Sequence, residues 1–377
     1  MSRPRLLAAV EGPHLLAAAA MLLSSVAVYL PLLGALDKVC RYWDGPAYLY
    51  VAKSLYVVPA DHPFTPYELP PAYFANHLPL YPLLVRGLML ASLGDGQAAL
   101  ILATLLSSTA AAALLLELFR REGLVASPLW SVVLFCLLPP RWLLYHAVGA
   151  TEPLFLCCVF AALLALGSGR SGWVVVWTGL AALTRITGVL LVPAFFLYHL
   201  ERREWRRAAL MPAALLGLLA LFGYYRLVFG DFWAYFTWNL DSAGIVSLRP
   251  LEIFRRYATA DKFHSAELYA ILYVGYAVGT LALWRRRALF WYCAVYLVFC
   301  GFISHHDLPR YLVPIAPFAL LVAFDPLLAG RRAWLALPLL LYVDYTAAWG
   351  HLPQKLVSRA VYERVLASPA QPFGRIR

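Results

Sequence analysis

The sequence predicts an all-α polytopic membrane protein, and three observations carry that prediction. Of 377 residues, 62% are hydrophobic and 14% charged, against about 45–50% apolar and about 25% charged in soluble domains. Apolar runs near the length of a membrane span recur along almost the whole chain. Arginine clusters separate those runs, as they do in the cytoplasmic loops of membrane proteins. The net charge of +11 sits in these clusters, so orientation in the bilayer accounts for it and no nucleic-acid partner is called for. No polar stretch is long enough for a separate soluble domain, and residues 1–377 read as one transmembrane unit.

The run at 14–36 is too long for a signal-peptide core and lacks a cleavage site, so it reads as a retained first span. Residues 37–78 form the first outer segment. The apolar run at 80–93 is short, ends at Gly94-Asp95-Gly96, and reads as a half-inserted juxtamembrane helix. Runs at 124–140 and 150–167 read as two spans joined outside by 141–152. Between 173 and 199 the chain must cross and return in too few residues for two full spans at 1.5 Å per residue. Two short helices meeting inside the protein near Thr184-Arg185-Ile186-Thr187-Gly188 satisfy the count. Runs at 208–225 and 267–284 enclose an outer segment at 226–266, and runs at 288–303 and 311–328 enclose another at 304–310. The total is about ten to eleven membrane segments.

Arg3/Arg5, Arg120-Arg121, Arg170, the cluster from Arg202 to Arg207, Arg285-Arg286-Arg287 and Arg331-Arg332 mark the cytoplasmic side. Even crossing counts between them put the outer segments, and the tail after Gly350, on the opposite face. Nearly all the Asp, Glu, His, Tyr and Trp outside the spans lie there. The six cysteines show no zinc-ligand spacing, and five lie in apolar runs as packing residues.

Polar chemistry therefore belongs to one face. Asp44, in RYWDGPAYLY, stands where Pro46 suits the first turn of a helix, so it is either an N-cap or a general base toward a substrate hydroxyl. Asp61, His62, Glu68 and His77 have no recurring ligand spacing and read as loop residues, so a divalent metal has no support from the pattern. Arg185 is a charge within an apolar stretch, and Arg310 stands where another span begins. Two arginines from different helices at one depth suit an anionic headgroup such as a phosphate, although an ion pair and interfacial snorkelling are the bland readings. His305 and His306 can hydrogen-bond the same phosphate or face water. Glu152 is a carboxylate at an outer span end, with Asp307 near the same level.

Several stretches resemble a known family. RYWDGPAYLYVAKSLY followed by HLPLYPLLVRGL resembles the start of the PIG-V-type (GPI mannosyltransferase 2-type) enzymes of the GT-C glycosyltransferase superfamily. These carry a tryptophan–aspartate pair after the first span and then a PLYPLL-like stretch. LFCLLPPRWLLYHAVGATEPLF is similar to that family's proline-rich span end and tyrosine–serine–glutamate motif, of which only Glu152 carries over. LTRITGVLL resembles its arginine–serine–asparagine–glycine segment at Arg185 and Gly188. FGDFWAYFTWNL resembles its Gly-Asp turn before an aromatic outer helix at Gly230, Asp231 and Trp238, and DLPRYLVPIAP its late arginine–aromatic motif. The matches run in order from residue 41 to 317.

The resemblance implies a GT-C-like bundle with a catalytic first outer loop and juxtamembrane helices. It implies transfer of a hexose, mannose first, from a polyprenyl (dolichyl) phosphate sugar to a hydroxyl of a glycolipid, protein or polysaccharide. Inversion at the anomeric carbon is expected, on the non-cytoplasmic face of a cell membrane or, in a eukaryote, of the endoplasmic reticulum. Asp44 would be the base, and Arg185 and Arg310, with His305 or His306, would hold the leaving phosphate. Trp43, Tyr48 and Trp238 would stack on sugar faces. A transporter or flippase of an amphiphilic anion is the competing class; it predicts inverted repeats and polar groups at the bilayer midplane. No repeat stands out in the sequence. A membrane acyltransferase using His305 or His306 as base lacks any further motif.

Overall fold

The computed structural model describes residues 11–242, 244–259, 262–330 and 333–372. The arginine markers at Arg3, Arg5, Arg331 and Arg332 lie outside the described residues. In chain order the helices are α1 (Gly12–Tyr29), α2 (Asp37–Arg41), α3 (Gly45–Ser54), α4 (Leu80–Ala91) and α5 (Gly96–Arg121). Next come α6 (Pro128–Phe135), α7 (Pro140–Tyr145), α8 (Glu152–Gly167), α9 (Ser171–Thr184) and α10 (Leu191–Glu201). The chain continues through α11 (Trp205–Leu210), α12 (Leu216–Phe229), α13 (Ala234–Phe236), α14 (Glu252–Tyr257) and α15 (Phe263–Ala282). It closes with α16 (Arg287–Cys300), α17 (Leu308–Leu312), α18 (Asp325–Leu328), α19 (Ala333–His351) and α20 (Arg359–Ala367). Pairing of β type among the described residues is confined to isolated bridges, Tyr42 with Leu356 and Val246 with Ile303. The protein is an all-α membrane protein.

Among the described residues, four helical stretches are long and apolar enough to cross a bilayer: Gly12–Leu32, Gly96–Arg121, Trp205–Phe229 and His264–Ala282. Shorter apolar helices of 10–17 residues stand among them, including α4, α8, α9 and α16. Two runs expected as continuous spans are broken. The 124–140 run is helical only over Pro128–Phe135 before the chain turns and resumes as α7 at Pro140. The 311–328 run divides into α17, a 3₁₀ turn at Val313–Ile315, a π turn at Pro317–Val322, and α18. The cause is the same in both. Proline removes a backbone donor and clashes with the preceding turn, so hydropathy carries on where the helix cannot.

The short-helix pair takes the form its length demands. Helix α9 stops at Thr184, Arg185 is extended, and a 3₁₀ turn at Ile186–Leu190 leads into α10. A Cβ on Gly188 would lie 2.3 Å from Ala181 C and Ala182 N, so only glycine lets this turn lie against the end of α9. Asp95 ends the juxtamembrane element by capping α5, its Oδ1 accepting from Gln97 N at 2.9 Å and Ala98 N at 3.0 Å.

The segment at 37–78 is a packed layer. Every residue of α3 is buried, against α4, the start of α5 and α20. Lys53, only 5% exposed, donates from Nζ to the carbonyls of Val365 (3.0 Å), Leu366 (2.6 Å) and Ser368 (3.1 Å). It thereby satisfies the open carbonyls at the end of α20 with a charge of the right sign. The tail also runs beside the Asp44 loop: Trp43 N donates to Lys355 O, and Val357 N to Arg41 O, both at 2.9 Å.

Gly188→Ala tests the chain turn. The added methyl meets the backbone of Ala181 and Ala182, so thermal unfolding in detergent should show a loss of roughly 1–3 kcal/mol or more. Unchanged stability would mean that the chain does not pass so close to α9.

Candidate active site

A cavity of about 720 Å3 opens where α3, α8, α9, α13 and the tail converge. Asp44 reaches it because of a strained corner. Trp43 has φ +45, and Gly45 sits so close to the preceding helix that a Cβ would lie 2.5 Å from Cys40 O. Asp44 holds the N-cap position of α3, yet its side chain makes no cap hydrogen bond. The carboxylate instead faces His77 Nε2 at 3.9 Å and Arg310 Nη1 at 3.7 Å. Burial pushes its pKa up, but His77 and the Arg310 guanidinium outweigh burial and hold the carboxyl below its usual range. Asp44 is therefore ionised at neutral pH.

Beneath it lies Glu152, 1% exposed, at the first position of α8. Its Oε1 forms an ion pair with Arg185 Nη1 at 2.6 Å and accepts from Arg310 Nε. Arg185 Nη1 further donates to Thr151 Oγ1 at 3.0 Å. The Arg310 guanidinium lies 4.3 Å above the Tyr145 ring, a cation–π contact. Tyr145 OH in turn donates to Asp307 Oδ2 at 3.2 Å, and Arg141 Nε donates to Asp307 Oδ1 at 2.7 Å. Two guanidinium groups from different elements are thus fixed on one carboxylate, with Arg185 Nε left unpartnered. Paired forks of this kind suit phosphate.

Of the residues picked from the sequence, Asp44, Arg185, Arg310, His305, Trp43, Tyr48 and Trp238 all line this cavity. Glu152 lies behind the arginines and does not line it. Asp231 is not brought to it: Oδ1 accepts from Trp233 N at 2.8 Å and Oδ2 from Thr237 Oγ1 at 2.9 Å, an exposed turn brace before α13. His306 is exposed and does not line the cavity, although its ring lies 4.0 Å from that of His305. Burial and the neighbouring His306 push the His305 pKa down to about 4, so at neutral pH it offers a neutral imidazole and no charge.

The loop residues divide. His62 braces its own loop, with Nδ1 accepting from Phe64 N and Nε2 on Leu69 O, whereas His77 faces Asp44. Among the described residues no group of three or more His, Cys, Asp or Glu side chains could hold a metal ion. Sequence reasoning passed over Tyr73, Asn76, Asn239 and Lys355, which also line the cavity. Tyr73 packs edge-on against both His77 and Trp238, and Lys355 Nζ stands 5.2 Å from the Trp43 ring. His77 directly precedes the LPLYPLL stretch, which is a usable signal. Lys355 sits in the tail with none.

The apolar helical bundle thus keeps an ionised acid and two carboxylate-paired arginines together in one cavity. The chain belongs to glycosyltransferase family 87: that family's model matches residues 77–304, more than half of the sequence. The protein is accordingly a membrane glycosyltransferase. No curated protein and no solved structure matches it. The matched region contains His77, Glu152 and Arg185, and it ends before His305 and Arg310. The matched family is not the PIG-V type that the motif series resembles, and the common ground of the two is glycosyl transfer.

Glu152→Gln probes the shared carboxylate. Removing one partner of a buried ionic group costs roughly 3–5 kcal/mol, so Tm should fall. Added inorganic phosphate should restore more stability in the variant than in the wild type, because two guanidinium groups then lack their counter-ion. Equal phosphate response in both would dissolve the assignment of these arginines to an anion.

Proposed function

We propose that the protein transfers a hexose, mannose first, from a polyprenyl phosphate sugar to an acceptor hydroxyl with inversion, on the non-cytoplasmic face. The observation that carries this reading is Asp44 standing 3.7 Å from Arg310, which Glu152 joins to Arg185. A base and a phosphate clamp therefore share one cavity. Mannose and the polyprenyl carrier rest on the motif resemblance, and the face rests on the arginine clusters.

Asp44 accepts the proton of the acceptor hydroxyl as that oxygen attacks the anomeric carbon. The bond from that carbon to the phosphate oxygen breaks, and its electron pair leaves with the polyprenyl phosphate. Arg185 and Arg310 take up the charge that develops there. Because Glu152 engages Arg310 through Nε, the Arg310 Nη groups are free to turn from Asp44 to the phosphate. The neutral His305 imidazole, together with Asn76 and Asn239, lies along the same cavity and can hydrogen-bond sugar hydroxyls. Trp43, Tyr48 and Trp238 offer ring faces or edges to the sugar.

Purified protein given radiolabelled polyprenyl phosphate mannose and a lipid extract should form a labelled glycoside. Asp44→Asn should lower turnover roughly 10²–10⁴-fold with the protein still folded and Tm falling only modestly, since the side chain caps nothing and gives up its charge pairing with Arg310 and His77. In the wild type, kcat/KM should hold through the neutral and mildly acidic range. It should fall only as pH reaches the lowered pKa of Asp44, where the base becomes protonated. Near-native turnover in the asparagine variant would remove Asp44 from the mechanism. Sidedness has its own check: in a cysteine-free background an impermeant external thiol reagent should label Asp61→Cys and spare Trp205→Cys. The reverse pattern would invert the orientation.

A further inference from the structure

The two arginines of the cavity are held differently. Nη1 of Arg185 meets two partners in one direction, Glu152 Oε1 at 2.6 Å and Thr151 Oγ1 at 3.0 Å. Arg310 is hydrogen-bonded to Glu152 through Nε, and its Nη1 stands 3.7 Å from Asp44, beyond hydrogen-bond reach. A guanidinium bonded at Nε can still swing about that bond. The Tyr145 ring lies against its face, with the ring centroid 4.3 Å from the guanidinium carbon.

Tyr145 has an anchorage of its own. It is 2% exposed and forms no part of the cavity wall, so it reaches a substrate only through Arg310. Its OH donates to Asp307 Oδ2 at 3.2 Å, and Tyr42 packs edge-on against its ring, 6.1 Å between centroids. Tyr42 lies two residues before Asp44. One ring is therefore keyed both to the corner that carries the acid and to the arginine facing it.

Asp307 explains how the ring is pinned. It holds the N-cap position of α17, the helix that carries Arg310, yet its side chain makes no cap hydrogen bond. Capping would be the local use of an aspartate at that position. The carboxylate turns instead to Tyr145 and to Arg141, whose Nε donates to Oδ1 at 2.7 Å. Arg141 Nη1 in turn lies 3.0 Å from His351 Nε2, at the end of α19.

We propose that Tyr145 and Asp307, with Arg141 anchoring Asp307, are positioning residues for glycosyl transfer. They set the plane of the Arg310 guanidinium so that the edge formed by its two Nη groups meets the leaving phosphate as charge develops there. This rests on the phosphate clamp proposed above, and on neither the sugar nor the acceptor. The competing account is plain packing, with Asp307 a counter-ion for Arg141 and Tyr145 a filler behind the wall. Packing variants lower Tm and leave phosphate affinity alone. Positioning variants weaken the hold on a phosphate that carries close to two charges, as the departing monoester does, more than on a singly charged diester.

Inorganic phosphate titrated against the purified full-length protein, read as the rise in Tm, tests this without a donor. Tyr145→Leu, which removes the ring, should need about tenfold more phosphate than the wild type for half the rise. Tyr145→Phe keeps the ring and loses only the bond to Asp307, so about threefold is expected. In an Asp307→Ala background the same Tyr145→Phe change should cost nothing further, because the hydroxyl has no partner left to lose. With radiolabelled polyprenyl phosphate mannose, Tyr145→Leu should lose about tenfold in kcat and keep KM within about twofold. Should Tyr145→Leu fail to fold, Tyr145→Phe and its pairing with Asp307→Ala decide alone. A lowered Tm with unchanged phosphate dependence would reduce the group to packing and overturn the proposal, as would a Tyr145→Phe effect that persists beside Asp307→Ala. A wild type indifferent to phosphate would sink the clamp and the positioning together. A wild type that answers phosphate but forms no glycoside would sink the donor alone.

Discussion

Everything at the cavity end of this protein hangs on one oxygen atom, Oε1 of Glu152, which pairs with Arg185 and accepts from Arg310. Burying two guanidinium groups is affordable only if their charge is met where they lie. A single carboxylate that meets both also fixes the distance between them. The three residues come from separate elements: the start of α8, the break after α9, and α17. The ion cluster therefore does for the polar end of the bundle what side-chain packing does for the apolar length. Asp44 adds the second negative charge, so the group of four carries no net charge before any substrate arrives.

The neutrality has a chemical meaning under the proposed reaction. A phosphodiester donor brings one negative charge, and the phosphate monoester it leaves behind carries close to two at neutral pH. Two guanidinium groups already half-committed to Glu152 and Asp44 bind the first firmly enough to position it and do not bind the second without limit. Transfer chemistry needs that difference, since a clamp of unopposed arginines would keep its product.

The fold class was legible because it rests on composition and on the spacing of arginines, both properties of the chain alone. The break at Arg185 was legible too, from simple length. The breaks inside 124–140 and 311–328 were hidden by hydropathy, which scores Pro139, Pro140, Pro314 and Pro317 as mild residues while the backbone treats them as stops. At the site, Asp44, Arg185 and Arg310 stood out as charges in apolar or aromatic company. Asp231 shared that look, but its carboxylate closes on its own turn, and a local hydrogen bond of that kind leaves no trace in spacing. Lys355 and Asn239 were invisible because only the folded chain brings their segments to the cavity.

The tail gives the molecule an order in time. Gln354, Lys355, Leu356 and Val357 form part of the cavity wall, and Lys53 of α3 finds its carbonyl partners at the end of α20. Those residues follow α1 to α19 in the chain. The Asp44 corner therefore lacks one side until residues more than 300 positions later have been made and have paired with Arg41 and Trp43.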